Sequence, residues 1–279
     1  MNPPRFQRIN AGSGHSYRLD GYDVPGVTTI IGTLDKPALV NWAAEQSASY
    51  AIENWSRLSE VPLAQRLKEI QNARYNTNRA AVVKGNRLHA LAERLQQTGD
   101  AGEVPAEILP QVEAIARFLD TWELDTVHTE TPVCNTGYRY AGTLDTISTS
   151  PRLGRILLDF KTGKGVYDDF TLQLAAYANS DLMLVPRTEI GPRGGKKTVW
   201  DEQAMPQVDG CYVAHILGDT IDLHPLTVDD QVFTAFLHLR EVYALWVERT
   251  GWKFRDRPTY APTVQKPIYI EDRPVGATK

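Results

Sequence analysis

The chain has 279 residues, of which 42% are hydrophobic and 23% are charged. This size allows a substantial core, in one α/β domain with elaborations or in two domains. The formal net charge of -4 excludes a protein that coats nucleic acid by positive charge alone, although an enzyme with local basic patches is compatible with it. No run approaches the roughly 18 apolar residues that span a bilayer, and the first ten residues lack the apolar segment of a secretion signal. We therefore expect a protein that stays inside the cell, in the cytoplasm, without a membrane partner.

Only two cysteines are present, Cys134 and Cys211. They are too few for a disulfide framework or a four-cysteine metal cluster, and both lie in apolar or strand-like sequence. We predict that both are core residues.

The first part of the chain has the pattern of helices after a turn-rich opening with several glycines. Pro37 is suited to the first turn of a helix, and the Ala-rich sequence that follows favours one. In the later segments, apolar residues recur at spacings of three and four. The predicted helices cover residues 37–55, 63–95 and 105–122.

From residue 126 the hydrophobic period shortens. Residues 126–158 are β-branched and aromatic, with turn sequences at 135–137 and 151–154, which predicts consecutive antiparallel strands. The elements predicted after them are a helix over 169–185, a mobile polar loop over 186–207, strands over 210–217 and 221–223, an amphipathic helix over 228–249 and a disordered Pro-rich end.

This order of elements predicts the α/β class, with a central mixed β-sheet flanked by helices. We predict one compact unit with three parts. They are a mainly helical N-terminal region (1–125) packed beside the sheet, a core (126–250) and a Pro-rich C-terminal tail (251–279).

The most informative segments are YAGTLD, which ends at Asp145, and ILLDFK, which ends at Lys161. Because side chains alternate along a strand, Asp159 and Lys161 lie on one face and Phe160 lies on the other. If the turn between the segments forms a hairpin, Asp145 lies near Asp159, and two carboxylates can share one hard cation. Such a cation orients a scissile phosphate and helps to ionise an attacking water, while Lys161 positions that water or holds the phosphate.

An Asp-x-Lys pair also occurs by chance. On an exposed strand it would be a solvated ion pair that contributes roughly 0 to 1 kcal/mol. The run before Asp159 is apolar on both faces, however, as in a buried strand. Charged groups at the end of such a strand need partners or a metal, which favours the functional interpretation.

Four short motifs together resemble the PD-(D/E)XK nuclease superfamily, and within it the RecB-type exonucleases, including phage and mitochondrial genome-maintenance members. In chain order they are Gly85-x-x-x-His89, Gly142-x-x-Asp145, Asp159-x-Lys161 and Gln173-x-x-x-Tyr177. Each motif is weak alone, but the four in this order form a specific pattern. The segment VPGVTTI, which begins at Val24, also resembles the N-terminal part of the phage and mitochondrial exonucleases.

The resemblance implies a restriction-endonuclease-like core with a metal site. Its ligands would be Asp145, Asp159 and the main-chain carbonyl of Phe160, and His89 would supply a further one. The implied cofactor is Mg2+ or Mn2+, because imidazole favours manganese alongside magnesium. An isolated histidine at this position would otherwise be a helix residue paired with Glu93 one turn later.

Gln173 and Tyr177 lie four residues apart on a predicted helix, so they share a face. The resemblance gives them the role of orienting Lys161, a water or a phosphate; a polar contact between helix and sheet is the alternative. Two acidic residues are secondary candidates. Glu93 is either an acceptor that orients the histidine ring or a salt-bridge partner on its helix. Glu130 resembles an acidic position often found near such sites, or is an exposed strand residue.

DNA contacts are predicted at scattered basic and aromatic residues. In the helical region, Trp42, Tyr50 and Trp55 are candidates for stacking on unpaired bases, although aromatic residues at helical spacing usually belong to the core. The candidate substrate-binding residues are Arg139, Tyr140, Lys164, Arg193, Lys196 and Lys197.

The predicted function is a metal-dependent DNA exonuclease of a bacterial or phage-infected cell, acting on single-stranded DNA or DNA ends in recombination, repair or phage DNA metabolism. Some RecB-type nucleases carry a four-cysteine iron-sulfur cluster, which this chain cannot build. It has no Gly-x-x-x-x-Gly-Lys-Ser/Thr loop either, so a helicase or recombination protein would be a separate partner. The alternatives are a structure- or sequence-specific endonuclease and a catalytically silent DNA-binding scaffold. A silent scaffold has no need of three ionisable groups at one metal site, which argues against it.

Overall fold

The computed structural model describes residues 4–11, 14–190 and 194–248. Within these ranges no helix is sufficiently long and apolar to cross a bilayer. The helices are α1 (Val27–Ile31), α2 (Pro37–Glu53), α3 (Trp55–Ser59), α4 (Leu63–Thr98), α5 (Leu109–Thr121), α6 (Asp169–Ala178) and α7 (Asp230–Val242), which continues as a π-helical turn (Tyr243–Glu248).

The strands of the described chain form two sheets. They are β1 (Phe6–Ala11), β2 (Gly14–Leu19), β3 (Tyr22–Val24), β4 (Asp125–Asn135), β5 (Tyr140–Ser150), β6 (Gly154–Lys161), β7 (Leu182–Ile190), β8 (Lys196–Ala204), β9 (Gly210–Leu217) and β10 (Thr220–Leu226). The first three form a small antiparallel sheet, and the other seven form one sheet in the order β10-β9-β6-β5-β4-β7-β8. In the larger sheet β6 and β9 pair in parallel and the other neighbours pair antiparallel. The predicted α/β class with a mixed sheet is confirmed.

Helices cover both faces of the large sheet because its central strands are apolar on both sides. Leu157 of β6 packs with side chains of α6 and α7, including Leu174 and Phe236. The next residue along, Leu158, points to the other face and packs with Phe118 of α5. Full burial of an apolar side chain of this size contributes roughly 1.5–3 kcal/mol. Strand β6 is therefore held between two helical layers, and its last residues carry the predicted site.

The second half of the predicted helix 169–185 is wrong, because α6 ends at Ala178 and β7 begins at Leu182. The predicted mobile loop over 186–207 is also wrong, since β7 pairs along its whole length with β8. Pro186 disfavours the helical conformation of the residue before it, and pairing with β4 buries Met183 in the sheet. A short apolar run of this kind fits a helix or a strand equally well by period, and tertiary packing decides between them.

The turn-rich opening contains the small sheet. Phe6 and Leu19 are fully buried there and pack with Cys134 of β4, so this sheet adds a layer over one edge of the large one. Cys134 and Cys211 are both buried and unbridged, as predicted. The helix predicted over 228–249 is shorter, because α7 spans Asp230–Val242 and the π-helical turn follows it. The predicted tail 251–279 lies outside the described residues.

Candidate metal centre and active site

The hairpin that the sequence predicts between β5 and β6 is present. Thr146 pairs with Leu158 across the two strands, so the next pair in the same register sets Asp145 opposite Asp159. The strand pattern of β6 is also confirmed, since Phe160 is buried in the apolar cluster of one face while Asp159 and Lys161 form an ion pair. The acidic and basic groups thus meet where β6 ends.

The Asp145 carboxylate lies between β6 and α4. Its Oδ2 accepts a hydrogen bond of 2.9 Å from the Phe160 N–H and lies 3.3 Å from Nδ1 of His89. Helix α4 approaches closely because Gly85 has no side chain, since a Cβ there would lie 3.2 Å from Oγ1 of Thr162. The glycine one turn before the histidine is therefore explained by packing.

Asp145 and His89 shift each other's pKa. Burial acts to raise the pKa of Asp145, but the hydrogen bond and charge of His89 and the charge of Lys161 outweigh it and lower that pKa. Burial acts to lower the pKa of His89, and the hydrogen bond and charge of Asp145 reverse this and raise it. Asp145 is therefore a carboxylate at neutral pH, the form that binds a cation.

Asp159 is 1% exposed at the base of the site. One carboxylate oxygen, Oδ1, lies 3.4 Å from Nε2 of Gln173. The other, Oδ2, contacts Nζ of Lys161 as an ion pair but has no well-formed hydrogen bond. Burial and the negative charge of Asp145 raise the pKa of Asp159 to about 7, against the opposing charge of Lys161. This carboxyl group is short of positive partners.

Gln173 connects the ion pair to α6. Its Oε1 accepts a long hydrogen bond of 3.5 Å from Nζ of Lys161, and its Nε2 lies 3.3 Å from the Tyr177 hydroxyl. The Phe170 ring lies below Lys161, with its centroid 4.9 Å from Nζ. Gln173 and Tyr177 share a face of the helix, as their spacing predicts, and they hold the lysine amine from the side of α6.

Gly142→Ala is expected to lower the free energy of unfolding by about 1–3 kcal/mol, the usual cost of overpacking. A Cβ at Gly142 would lie 2.3 Å from Cε1 of Tyr177, whose ring is almost fully buried. Thermal unfolding followed by circular dichroism measures the loss. Gly137→Ala is the matched control, because its Cβ would meet only Oδ1 of Asn135 at 3.5 Å. Equal melting temperatures for the two variants would contradict the packing described here.

Glu130 joins the site through an unusual backbone conformation. It lies within β4 but has φ 43°, in the left-handed region that non-glycine residues rarely adopt. Such a conformation costs on the order of 1–3 kcal/mol and is commonest at functional sites. Burial and the negative charges of Asp145 and Glu93 raise the pKa of Glu130 to about 7. The conformation of β4 therefore keeps the Glu130 carboxyl group close to the negative charges of Asp145 and Glu93.

The three nearest ligand atoms form a compact group. One ligand atom each of His89, Glu130 and Asp145 lie within 4.8 Å of one another.

No known protein family has a model that matches this chain. A search of curated proteins likewise finds no similar sequence. The function is therefore inferred from the site itself.

This grouping differs in part from the predicted ligand set. Asp145 lies with His89, as expected, but the third member is Glu130, which sequence reasoning ranked as secondary. Asp159 is paired with Lys161 and is not a member of the group of three. The other secondary candidate, Glu93, accepts a hydrogen bond of 3.0 Å from Gln97, which corresponds to a contact along its own helix.

The candidate DNA-contact residues are dispersed. Tyr140 is wrong as a substrate contact, because it is 0% exposed and its hydroxyl donates to the carbonyl oxygen of Ala176. Arg139 lies in the β4–β5 turn and pairs with Asp20, about five strand residues away from Asp145. Lys164 is exposed just after β6. Lys196 and Lys197 are exposed at the start of β8, and Arg193 lies outside the described residues.

A cavity of about 860 Å³ adjoins the ligand group, and sequence reasoning missed most of its wall. His89 and Glu130 belong to this wall. Arg8 comes from the predicted turn-rich opening and Trp200 from the predicted loop, so no periodic signal marked either one. The wall also includes Asn86, Gln96, Gln97, Thr129, Glu93 and His128.

Proposed function

We propose that the chain is a divalent-metal-dependent deoxyribonuclease with a restriction-endonuclease-like core, acting preferentially as an exonuclease. One observation carries the proposal: the ligand atoms of His89, Glu130 and Asp145 lie within 4.8 Å of one another beside the buried ion pair of Asp159 and Lys161. Carboxylates with an imidazole and an adjacent lysine form a set suited to phosphodiester hydrolysis.

The donor set fits Mg2+ or Mn2+. Two carboxylates supply the oxygen ligands that hard cations prefer, and an imidazole suits manganese. Burial and the negative charge of neighbouring carboxylates raise the pKa of Glu130 and of Asp159 to about 7 each, and a cation beside them would offset that charge. His89, Glu130 and Asp145 would hold the ion, which would supply positive charge to a scissile phosphate and acidify a water.

The chain's own residues prepare the substrate side of this site. Lys161 is 20% exposed at its side chain, so its amine can donate a hydrogen bond to a phosphate oxygen or to the attacking water. Gln173 and the Phe170 ring fix the direction of the amine, and the Tyr177 hydroxyl fixes Gln173. Pre-set donors of this kind stabilise developing charge without reorganising.

A silent DNA-binding scaffold is the weaker alternative because it leaves the strain unexplained. Asp159 is a buried carboxyl group paired with Lys161, and Glu130 occupies a costly backbone conformation. An apolar residue in place of Asp159 would avoid the cost of burying a charge. A cation bound beside Asp159 and Glu130 would account for the presence of both acids.

The test is a cleavage assay on end-labelled single- and double-stranded DNA with Mg2+, Mn2+ or chelator. Cleavage in either metal and none in chelator is expected. Linear DNA should be degraded faster than covalently closed circles, because an exonuclease needs an end. Circles cut as fast as linear DNA would favour an endonuclease, and tight DNA binding without cleavage would favour the scaffold.

His89→Ala is expected to weaken Mn2+ binding more than Mg2+ binding, because imidazole favours the softer ion. The loss should be about 10- to 100-fold for Mn2+, measured by titrating each metal into the cleavage assay. His128→Ala is the control, since His128 lines the same cavity but does not belong to the ligand group. Unchanged dependence on both metals would remove His89 from the site.

A further inference from the structure

Two polar groups in the wall of the cavity have no hydrogen-bond partner among the described residues. Nε of Arg8 is buried without one, while an Nη of the same guanidinium lies 3.4 Å from Nδ1 of His15. Gln96 accepts a hydrogen bond from Thr146 through Oε1, but its Nε2 is buried and unpartnered. An unsatisfied buried donor costs roughly 1–3 kcal/mol. Nε of Arg8 and Nε2 of Gln96 are both hydrogen-bond donors, so a matching ligand would present acceptor oxygens or ring nitrogens.

The aromatic member of the wall, Trp200, lines the same cavity as this arginine. The Phe6 N–H donates a hydrogen bond of 2.7 Å to Oε1 of Glu202, which brings β1 alongside β8. Arg8 lies two residues after Phe6 on β1, and Trp200 lies two residues before Glu202 on β8. Both side chains line the cavity. Trp200 is 41% exposed. The exposed indole and the Arg8 guanidinium therefore face one cavity.

The cavity has the size and the lining of a small-ligand pocket. Pockets for small ligands usually measure roughly 300–1,000 Å³, which admits a nucleotide but not a duplex with its two strands. Its other polar side chains include the amides and hydroxyls of Asn86, Gln97 and Thr129, together with the Glu93 carboxylate and the His128 imidazole. Such groups read the edges of bases, whereas Arg8 is suited to a phosphate. Because His89 and Glu130 share the wall, a ligand here sits directly beside the proposed metal.

We propose that this cavity binds an unpaired nucleotide of the DNA strand that is being cut, with its base stacked on Trp200 and its phosphate held by Arg8. The proposal rests on the proposed nuclease function and names its substrate as single-stranded DNA. Stacking on Trp200 requires a free base face, and in a duplex both faces are covered by neighbouring base pairs. The Gln96 amide then donates to an acceptor on the base edge.

The experiment measures binding of a fluorescent single-stranded oligonucleotide and of a blunt duplex of equal length by anisotropy, with Ca2+ in place of Mg2+ to suppress cleavage. Trp200→Ala should weaken single-strand binding by about 10- to 100-fold, the usual effect of losing one stacking partner, and duplex binding less than twofold. Trp200→Phe should restore most of the loss. The control is Ile190→Ala, which removes an exposed apolar side chain from the same hairpin outside the cavity.

Arg8→Gln gives a second, independent measurement. If Arg8 contacts one phosphate, the slope of log Kd against log salt concentration should fall by about 0.7 for single strands. Trp200→Ala should leave this slope unchanged, because stacking releases no counterions. Equal losses on both DNA forms, or no loss, would overturn the subsite while leaving metal-dependent cleavage by the unmodified chain intact. A chain that binds neither DNA form and cuts neither would overturn the proposed function together with the subsite.

Discussion

Asp145→Asn is expected to reduce metal-dependent DNA cleavage by roughly 10³-fold or more, because a bound metal contributes several kcal/mol to the stabilisation of the transition state. Asparagine keeps an oxygen that can accept the hydrogen bond from the Phe160 N–H, so the β5–β6 geometry should survive. It removes the charge that would hold the cation of the proposed metal centre and that raises the pKa of His89. Initial rates on end-labelled DNA across a range of Mn2+ concentrations measure the loss.

Two further variants separate metal binding from chemistry. Lys161→Ala should reduce cleavage as strongly but leave the Mn2+ dependence of binding in place, because the lysine carries no metal-ligand atom. Asp168→Asn is the matched control, an exposed aspartate immediately before α6 whose carboxylate does not cap the helix. Circular dichroism spectra should be the same for all of these proteins. Full activity of Asp145→Asn would remove the metal assignment.

The part of this site that lies on regular strands could be predicted from the sequence. Alternation along β6 sets Asp159 and Lys161 on one face, and the turn before it brings Asp145 across the hairpin. The spacing of Gln173 and Tyr177 likewise gives their common helix face. These relations depend only on fixed geometry within an element and between neighbours, which the sequence pattern specifies.

Glu130 could not be assigned in the same way, because its position depends on a departure from strand geometry. The register of β4 with β5 shifts between Thr126 and His128, and Glu130 itself has a positive φ. Alternation counted along β4 therefore does not give its direction. Neither the register shift nor the positive φ is marked in the sequence, for example by a glycine. The sequence therefore gives Glu130 only as a secondary candidate, and its distance to His89 and Asp145 places it in the ligand group.

The cavity residues were missed because they come from contacts between distant segments. Arg8 lies on β1 and Trp200 on β8, nearly 200 positions apart in the chain, and both line the cavity, while a hydrogen bond from the Phe6 N–H to Glu202 joins the two strands. The β7–β8 hairpin was itself misread, since polar residues and glycines around its tip give the composition of a loop. Pairing along nine residues of each strand is a tertiary effect that propensity does not capture.

In chelator, the free energy of unfolding is expected to fall as the pH rises from 5 to 8, by on the order of 2–4 kcal/mol. The pKa of Asp159 is raised from 3.8 and that of Glu130 from 4.5, each to about 7, by burial and neighbouring negative charge. Between these values the folded protein holds protons that the unfolded chain has released. The contribution of these two groups to stability is therefore full below pH 4 and is lost as the pH rises through 7. His89, whose pKa is also raised, acts in the same direction.

Chemical denaturation at pH 5 and pH 8 measures this difference, and Glu130→Gln should reduce it because the amide does not titrate. Adding Mn2+ at pH 8 should restore stability, by about 2.7 kcal/mol at a hundred times Kd, since the cation replaces the missing protons as the partner of the carboxylates. Lys161→Ala should keep this restoration and Asp145→Asn should lose it. A chain whose stability is the same at both pH values and insensitive to Mn2+ would show that the buried acids do not compete for a cation, and the metal centre would have to be abandoned.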